Sequence, residues 1–276
     1  MRVPHPIPSA ADPSAAPLLT DLAAEHEALD DLICSFTAGD PWIALTPAAG
    51  WSVAHQISHL AFFDRRAALS AVDPEGFALD LRELFAAAPH DPSADAAVLP
   101  PAELLTEWRD ARLRLVEALV TVEPGRRLDW YGPPMGLRSF ATARLMETWA
   151  HGQDIADALA SERTATARLR HVAHIGVGAR AFNLRSNGLK PDDRPVRVEL
   201  NGVDGVTWTW GPEEAEDFVR GDALDFCLIV TQRRHRSEVD LEVRGKSAET
   251  WMSVAQAFAG PPGGGREPGA WRLRGR

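Results

Sequence analysis

Apolar residues recur at intervals of three, four and seven along four long stretches of the N-terminal part of the chain, a spacing that predicts amphipathic helices. These helices are expected at residues 18–36, 53–72, 101–119 and 138–159. Ser52 is placed to cap the second helix, and Pro101 to open the third. The connections are rich in proline and glycine, and the one that contains DPEG is predicted to be a loop. Four helices with such breaks indicate a helix bundle.

The pattern changes in the second half of the chain. One more helix is predicted over residues 169–184, and the segments VRVEL and VTWTW then read as two strands around an NGVDG turn. A helix or buried segment is expected for GDALDFCLIVTQRR, a strand for EVDLEVRG, and a helix capped by Ser247 and ending at Gly260 for SAETWMSVAQAFA. We therefore predict a four-helix bundle followed by a smaller α+β domain. The expected bounds are a flexible leader at 1–15, the bundle at 16–162 and the second domain at 163–276.

Composition narrows the classes of function. The chain has 276 residues with 45% hydrophobic and 25% charged residues, which is typical of a globular protein with a sizeable core. Its net charge of −10 argues against nucleic acid or an anionic membrane as the main partner. No apolar run is long enough for a membrane span, and the N-terminus lacks the apolar segment of a secretion signal, so a cytoplasmic location is expected. Cys34 and Cys227 are widely separated and are expected to be buried free thiols.

The fourth predicted helix carries an unusual polar strip in the segment RLMETWAHGQD. Glu147 and His151 lie one turn apart on the same side, and Arg144 and Asp154 continue the strip. One interpretation is a solvent-exposed face with a weak Glu–His pair. The other is half of a metal site that points into the core. Apolar residues such as Phe140 fall in the same arc, which is unusual for an exposed face.

The second predicted helix offers further ligands in the segment GWSVAHQISHLAFFDRR. His55 and His59 share one side of it with two phenylalanines, and His59 is expected to be buried. A buried histidine is either a core residue with satisfied hydrogen bonds or a ligand. Two histidines and one carboxylate suit a divalent metal with open positions, and neighbouring helices of a bundle supply such inward-facing ligands. The spacing alone leaves both alternatives open.

The segments GWSVAHQISHLAFFD and RLMETWAHGQDIADAL resemble the two signature segments of the DinB-like, mycothiol-dependent maleylpyruvate isomerase family. The segments DALDFCLIVTQRRHR and AETWMSVAQAFAGPPGGGR resemble the second domain, of the wyosine-base-formation type, of an actinobacterial metal-binding branch. The resemblance implies that His59, Glu147 and His151 bind a divalent ion, with zinc preferred to nickel or another divalent metal. It leaves His55 as a residue behind the ligands or in the core, and Asp154 as a residue that orients a ligand imidazole or as a surface carboxylate.

The resemblance also implies a chemistry. In this family a low-molecular-weight thiol, mycothiol, acts on a small electrophilic metabolite by S-transfer or by isomerisation through reversible addition. Arg144, Arg233 and Arg234 are the expected contacts for carboxylates of the substrate or the thiol. Two alternatives stay open: a metal-dependent hydrolase, lyase or cyclase without a thiol, and a non-catalytic metal- or ligand-binding protein.

Overall fold

The structure is a computed structural model that describes residues 10–36, 40–86, 91–203 and 205–271. The chain divides into two compact units, one up to Ile155 and one from Ala156 onward. The sequence places this boundary a few residues later, between 162 and 163. Residues 1–9 of the predicted leader lie outside the described residues. Ala15 is fully buried, and the backbone N–H of Ala11 donates to the carbonyl of Val120 at 2.7 Å.

The first unit is helical, as predicted. Its four long helices agree with the sequence prediction to within two residues at each end, because their apolar spacing is a local signal. Ser52 caps the second helix in a reciprocal pair with His55. The elements are α1 (Ala16–Cys34), α2 (Val53–Val72), α3 (Pro74–Ala86), α4 (Pro101–Val120), β1 (Arg127–Leu128), β2 (Met135–Gly136) and α5 (Leu137–Ala158).

The predicted DPEG loop is wrong, because this segment begins α3. Pro74 occupies the first turn of the helix, where its missing N–H costs nothing. The Asp73 carboxylate accepts a hydrogen bond from the backbone N–H of Gly76 at 2.9 Å, so it caps the new helix. Phe77 is fully buried and anchors the helix in the core. The residues that signal a turn therefore signal a helix start here.

Helix α5 is buried around almost its whole circumference from Phe140 to Ala158. Its apolar side includes Leu145 and Trp149, which are 0% and 5% exposed, yet His151 on the polar strip is only 8% exposed. The alternative of a solvated strip is therefore wrong. A helix buried on all sides must satisfy its polar side chains inside the protein.

The second unit contains a four-stranded sheet in the order β4-β3-β5-β6. Strand β3 pairs antiparallel with β4 and parallel with β5, and β5 pairs antiparallel with β6. The elements are α6 (Leu169–Gly178), α7 (Arg180–Ser186), β3 (Val196–Asn201), β4 (Thr207–Trp210), β5 (Asp217–Asp222), α8 (Ala223–Val230), β6 (Leu241–Arg244) and α9 (Lys246–Met252). The fold is thus a helical domain followed by a smaller α+β domain.

Three details of the second unit differ from the sequence prediction. Strand β5 has no clear alternation and is held by its neighbours on both sides. The single helix predicted at 169–184 is interrupted at Ala179. The last helix ends at Met252, and its cap position is Gly245 (φ 91°), not Ser247. A side chain at Gly245 would collide with the Asp217 carboxylate, so glycine is required there.

Two expectations from composition can be compared with the structure. Both cysteines are free; Cys227 is buried, as expected, but Cys34 is exposed on the last turn of α1. Among the residues that the structure describes, no helix combines the length and the apolar character needed to cross a membrane.

Candidate metal centre

Helices α2 and α5 bring the three predicted ligands together. One ligand atom from each of His59, Glu147 and His151 lies within 4.8 Å of the other two. Nε2 of His151 is 3.3 Å from a carboxylate oxygen of Glu147, one turn earlier on α5. The ring centroids of His59 and His151 are 4.5 Å apart. Ligand atoms about 2.0–2.2 Å from one ion are at most about 4.4 Å apart, so the side chains need only a small closure.

The orientation of His151 is fixed by a chain of hydrogen bonds. The Thr46 hydroxyl donates to the carbonyl of Trp51 at 2.9 Å, so it accepts the hydrogen bond from Nε2 of Gln56, also at 2.9 Å. Oε1 of Gln56 then faces Nδ1 of His151. Because an amide oxygen only accepts, Nδ1 of His151 carries the proton. Nε2 is therefore the nitrogen with the lone pair, and it is the one beside Glu147.

His59 is oriented by an equivalent chain on its other side. The Ser93 hydroxyl donates to the Asp91 carboxylate at 2.6 Å. It therefore accepts from Nδ1 of His59 at 3.0 Å. This contact fixes the same tautomer as in His151 and makes Nε2 the nitrogen that could bind an ion. Ser93 is 1% exposed and is the second residue of a short 3-10 helix, Pro92–Val98, that Asp91 caps.

The third donor, Glu147, is ionised. Burial acts to raise the pKa of Glu147, but its contact with His151 and the positive charge of Arg144 lower the pKa to about 2. The carboxylate is thus available as an anionic ligand at neutral pH. Two imidazoles with defined tautomers and one carboxylate fit a divalent cation that prefers nitrogen and oxygen donors.

Aromatic rings surround the donor atoms. The Trp51 ring is stacked on His151 at 6.1 Å and is 5.1 Å from His59, and the Phe63 ring is 4.6 Å from His59 on α2. These rings limit the access of water to the cluster, which strengthens electrostatic interactions inside it. The Glu147 side chain is still 23% exposed, so the cluster opens to solvent on that side.

Comparison with known proteins gives a consistent family. Residues 22–156 match the family model described as the mycothiol maleylpyruvate isomerase N-terminal domain, and residues 192–242 match wyosine base formation. The chain is 50% identical over 260 residues to the uncharacterized proteins Rv0036c and MT0041 from two strains of Mycobacterium tuberculosis, covering 93% of this chain and all of each relative. The chain belongs to the mycothiol maleylpyruvate isomerase family.

A solved member of this family has the same fold. The crystal structure of the mycothiol-dependent maleylpyruvate isomerase aligns with 84% of this chain and 93% of its own, with a TM-score of 0.50 and 15% sequence identity. At this identity the likeness concerns the fold alone. The arrangement of donor atoms described above therefore rests on the side chains of the present chain and not on the solved isomerase.

Arg144 of the present chain is not among the residues that converge on the three donor atoms. Its guanidinium donates to Oδ1 of Asp64 through Nε at 3.1 Å and Nη2 at 2.8 Å. The side chains of Arg144 and Asp64 are 4% and 0% exposed. Because a buried carboxylate needs a cation, this pair accounts for the guanidinium, and the structure gives no support to the predicted contact with a substrate.

The structure excludes one of the two alternatives for His55 and one of the two for Asp154, and a role of either residue behind the ligands stays a prediction. His55 is half-buried, and its Nδ1 contacts the Ser52 hydroxyl at 2.8 Å in the cap of α2, so it is not a core residue. Asp154 is 1% exposed, so its alternative as a surface carboxylate is wrong. Nδ1 of His151 donates its hydrogen bond to Oε1 of Gln56 and not to Asp154. A role of Asp154 in orienting a ligand stays a prediction.

The two predicted arginines of the second unit are engaged there. Arg234 makes a bidentate pair with Asp157, with N–O distances of 2.6 and 2.7 Å, and its guanidinium lies 4.0 Å from the Trp271 ring centroid. Arg233 donates to the carbonyl of Thr231 at 2.6 Å. Their contact with a substrate or thiol stays a prediction.

The residues that orient the ligands are the ones that the sequence analysis missed. Gln56 lies within the quoted histidine segment, three residues before His59 and on the same side of α2, but nothing local indicates that its partner is His151. Ser93 lies in the DPS sequence of a proline-rich connection, where Asp-Pro-Ser is typical of a capped turn. Nothing local indicates that this turn packs against α2.

Proposed function

We propose that this protein is a metal-dependent enzyme that uses a low-molecular-weight thiol, mycothiol, to modify or isomerise a small electrophilic metabolite. The observation that carries the proposal is the convergence of two oriented imidazoles and one ionised carboxylate in a family that includes a solved mycothiol-dependent maleylpyruvate isomerase. The protein would act in the cytoplasm, where small thiols are kept reduced. Its partners would be the metabolite and the thiol, without nucleic acid or membrane.

His59, Glu147 and His151 would hold the ion. Three protein ligands leave at least one position for a further molecule, which is the arrangement of catalytic rather than structural zinc sites. Nitrogen and oxygen donors favour zinc, with nickel or another divalent metal as the next candidates. When bound, the ion would supply positive charge that stabilises a thiolate and lowers the pKa of the thiol.

The residues behind the ligands would keep the donor atoms in place. Gln56 and Ser93 hold the protons of the two imidazoles on Nδ1, so that both Nε2 lone pairs face the cluster. Trp51 and Phe63 would exclude water and present apolar faces to the metabolite. The partly exposed side of Glu147 is the route by which reactants would enter.

The thiol would bring its own sulfur, so no cysteine of the protein is needed. In an isomerisation the sulfur adds to a carbon–carbon double bond, the resulting single bond rotates, and elimination returns the thiol unchanged. In an S-transfer the new carbon–sulfur bond is kept. Arg233 and Arg234 are proposed to recognise carboxylates, a role that suits the planar guanidinium.

The test begins with the purified chain loaded with one equivalent of zinc. Mycothiol should raise the melting temperature of the zinc-loaded protein but not of the zinc-free protein, because only the former offers a binding position. The loaded protein should then convert maleylpyruvate, or consume mycothiol with an epoxide, as followed by mass spectrometry. His59→Ala should abolish both effects, whereas His174→Ala, an exposed histidine on α6, should retain them. Zinc binding without any effect of mycothiol would contradict the proposal.

A further inference from the structure

The second unit contains a cavity that has no part in the proposed chemistry. It has a volume of about 260 Å³ and lies among α6, α7, β3 and α9. This volume is close to the lower end, about 300 Å³, of pockets that bind drug-sized molecules. It equals the volume of about nine water molecules in the liquid. The space therefore suits a small organic molecule better than a single ion or water.

The floor of the cavity is apolar and rigid. Val198 and Trp251 are both 0% exposed, and Leu184 is 4% exposed. These side chains belong to a strand and two helices, so their positions are fixed by the packing of the sheet. A ligand on this floor would bury its apolar surface, at about 25 cal/mol for each Å² removed from water.

The rim of the cavity carries a charged pair that is already neutralised. Nη2 of Arg180 donates to Oδ1 of Asp192 at 2.8 Å and to the carbonyl of Arg194 at 3.0 Å. The other carboxylate oxygen of Asp192 accepts from the Ser247 hydroxyl at 2.5 Å. A second anion at this rim would face the Asp192 carboxylate, and a second cation would face the Arg180 guanidinium. The rim therefore favours an uncharged group.

Two N–H donors on the lining residues have no acceptor among the described residues. They are Nε1 of Trp251 and Nε of Arg180, and both atoms are buried. A buried donor without a partner is unfavourable and uncommon in native proteins. An acceptor oxygen on a ligand would satisfy such a donor after a small side-chain movement.

We propose that this cavity binds a small, mainly apolar molecule that carries one uncharged acceptor oxygen, such as the carbonyl of a ketone, ester or amide. The apolar floor would bury the body of the molecule, and the indole N–H of Trp251 would donate to the carbonyl. The lining residues are different from those of the candidate metal centre, so this site can be tested independently of the proposed enzyme.

The test uses 2-octanone as the probe and follows the indole N–H of Trp251 by nuclear magnetic resonance. Titration should give a saturable shift of that signal. Octanoate and octylamine, which have similar chains but charged ends, should bind at least tenfold more weakly because of Asp192 and Arg180. Absence of a saturable shift with 2-octanone, or equal binding of octanoate, would overturn the proposal.

Gly178 offers a variant that fills the cavity without strain. A Cβ atom added there meets no atom within 4 Å, so Gly178→Leu should fold and place its side chain in the open space at the cavity. It should weaken 2-octanone binding at least tenfold. Gly264→Leu is the matched control, because its Cβ also meets no atom within 4 Å and Gly264 does not line the cavity. Equal binding by the two variants would reject the site.

A second variant tests the hydrogen bond. Trp251→Phe removes the indole N–H but keeps an aromatic ring on the cavity floor, and it should weaken binding about fivefold, as expected for one neutral hydrogen bond. At saturation, 2-octanone should cause the same chemical-shift changes at Val198 in this variant as in the wild type. This result separates a lost donor from a collapsed cavity. Unchanged affinity in Trp251→Phe would exclude Trp251 as the donor and contradict the acceptor part of the proposal.

Discussion

Two buried polar clusters occupy the helical unit, and they differ in where the positive charge comes from. In the candidate metal centre, the Glu147 carboxylate faces two imidazoles whose Nδ1 protons are held by Gln56 and Ser93. In the second cluster, arginines of the chain supply the cations. We call it the ionic cluster, and it comprises His26, Asp30, Asp64, Arg109, Arg112 and Arg144.

The ionic cluster is neutralised by direct pairs. Asp30 accepts from Arg109 at 2.8 Å and from Arg112 at 2.6 Å, and Asp64 accepts from Arg144 at 2.8 Å. A carboxylate that is paired in this way has no need of an added ion. The candidate metal centre instead brings three electron-pair donors within 4.8 Å of one another. Burial of polar residues alone therefore does not identify a metal site; what distinguishes the ionic cluster is that arginines pair directly with its carboxylates.

The largest expected effect is loss of metal from one cluster only. His59→Ala should lower the zinc content of the purified chain from about one ion to nearly none, because two ligands do not retain zinc against a chelator. Asp64→Asn, in the ionic cluster, should keep the ion. Metal content is measured by mass spectrometry after gel filtration. Equal zinc content in wild-type protein and His59→Ala would contradict the assignment of His59 as a metal ligand.

Loss of a buried ion pair in the ionic cluster should lower the stability of the fold more than it affects metal binding. Arg144→Met leaves the Asp64 carboxylate buried without its cation, and it should lower the free energy of unfolding by about 3–5 kcal/mol. Urea unfolding of metal-free protein measures this. Asp64→Leu combined with Arg144→Met should recover much of the loss, since no unpaired charge remains. If the double variant is no more stable than Arg144→Met, the charge-pair explanation is wrong.

The residues behind the ligands should have an intermediate effect. Gln56→Leu removes the acceptor for Nδ1 of His151 and should weaken zinc binding about 10–100-fold. Gln56→Glu keeps an acceptor at this position and should recover part of the affinity. Competition with a chromophoric chelator gives both dissociation constants. Unchanged affinity in Gln56→Leu would show that the hydrogen bond does not orient the ligand.

Lowering the pH should reduce the stability of the folded protein in two steps, one from each of two residues of the ionic cluster. Burial and the charges of Arg112 and Arg144 lower the pKa of His26, so below about pH 6.5 the unfolded chain takes up a proton that the folded chain does not, and stability falls. Burial acts to raise the pKa of Asp30, but Arg109 and Arg112 lower it overall. The stabilisation of the folded state by the Asp30 carboxylate is therefore present above about pH 3.9 and is lost as the pH falls below that value.

Variants assign the two acid steps. Urea unfolding of metal-free protein at several pH values should show a shallower loss between pH 7 and pH 5 for His26→Phe than for the wild type. Asp30→Asn should remove the loss near pH 4 while lowering stability at neutral pH. The same pH dependence in all three proteins would mean that neither residue is responsible.

The smallest expected effect comes from an exposed ion pair between α2 and α4. Arg65 and Glu107 are 2.9 Å apart, but each side chain is 43% exposed. Arg65→Met should change the free energy of unfolding by less than about 1 kcal/mol, since solvent screens this pair. A loss as large as that of Arg144→Met in the same urea experiment would remove burial as the explanation for the difference.

Local signals in the sequence predicted the helices but missed elements that depend on distant partners. The bounds of α2 follow from apolar spacing and the cap at Ser52. Helix α3 was predicted as a loop because its anchor, Phe77, becomes informative only once the core around it exists. Strand β5 is held by β3 and β6, and its short apolar run gives no alternating pattern.

The same distinction applies to the site. Residue chemistry and a family resemblance selected His59, Glu147 and His151. The hydrogen bond between Gln56 and His151 joins residues 95 positions apart, and that between Arg144 and Asp64 joins residues 80 positions apart. No spacing rule reaches across such distances. The sequence therefore suggested the donors but not the residues that orient them, and it assigned Arg144 to a substrate because its buried partner was not apparent.

The most direct test is an anomalous difference map from crystals of the zinc-loaded chain, recorded at the zinc absorption edge. The account predicts one strong peak in contact with Nε2 of His59, Nε2 of His151 and the carboxylate of Glu147. It also predicts that the Nδ1 contacts to Ser93 and Gln56 are kept. A peak bound elsewhere, or none at these three side chains in protein that binds zinc in solution, would contradict it.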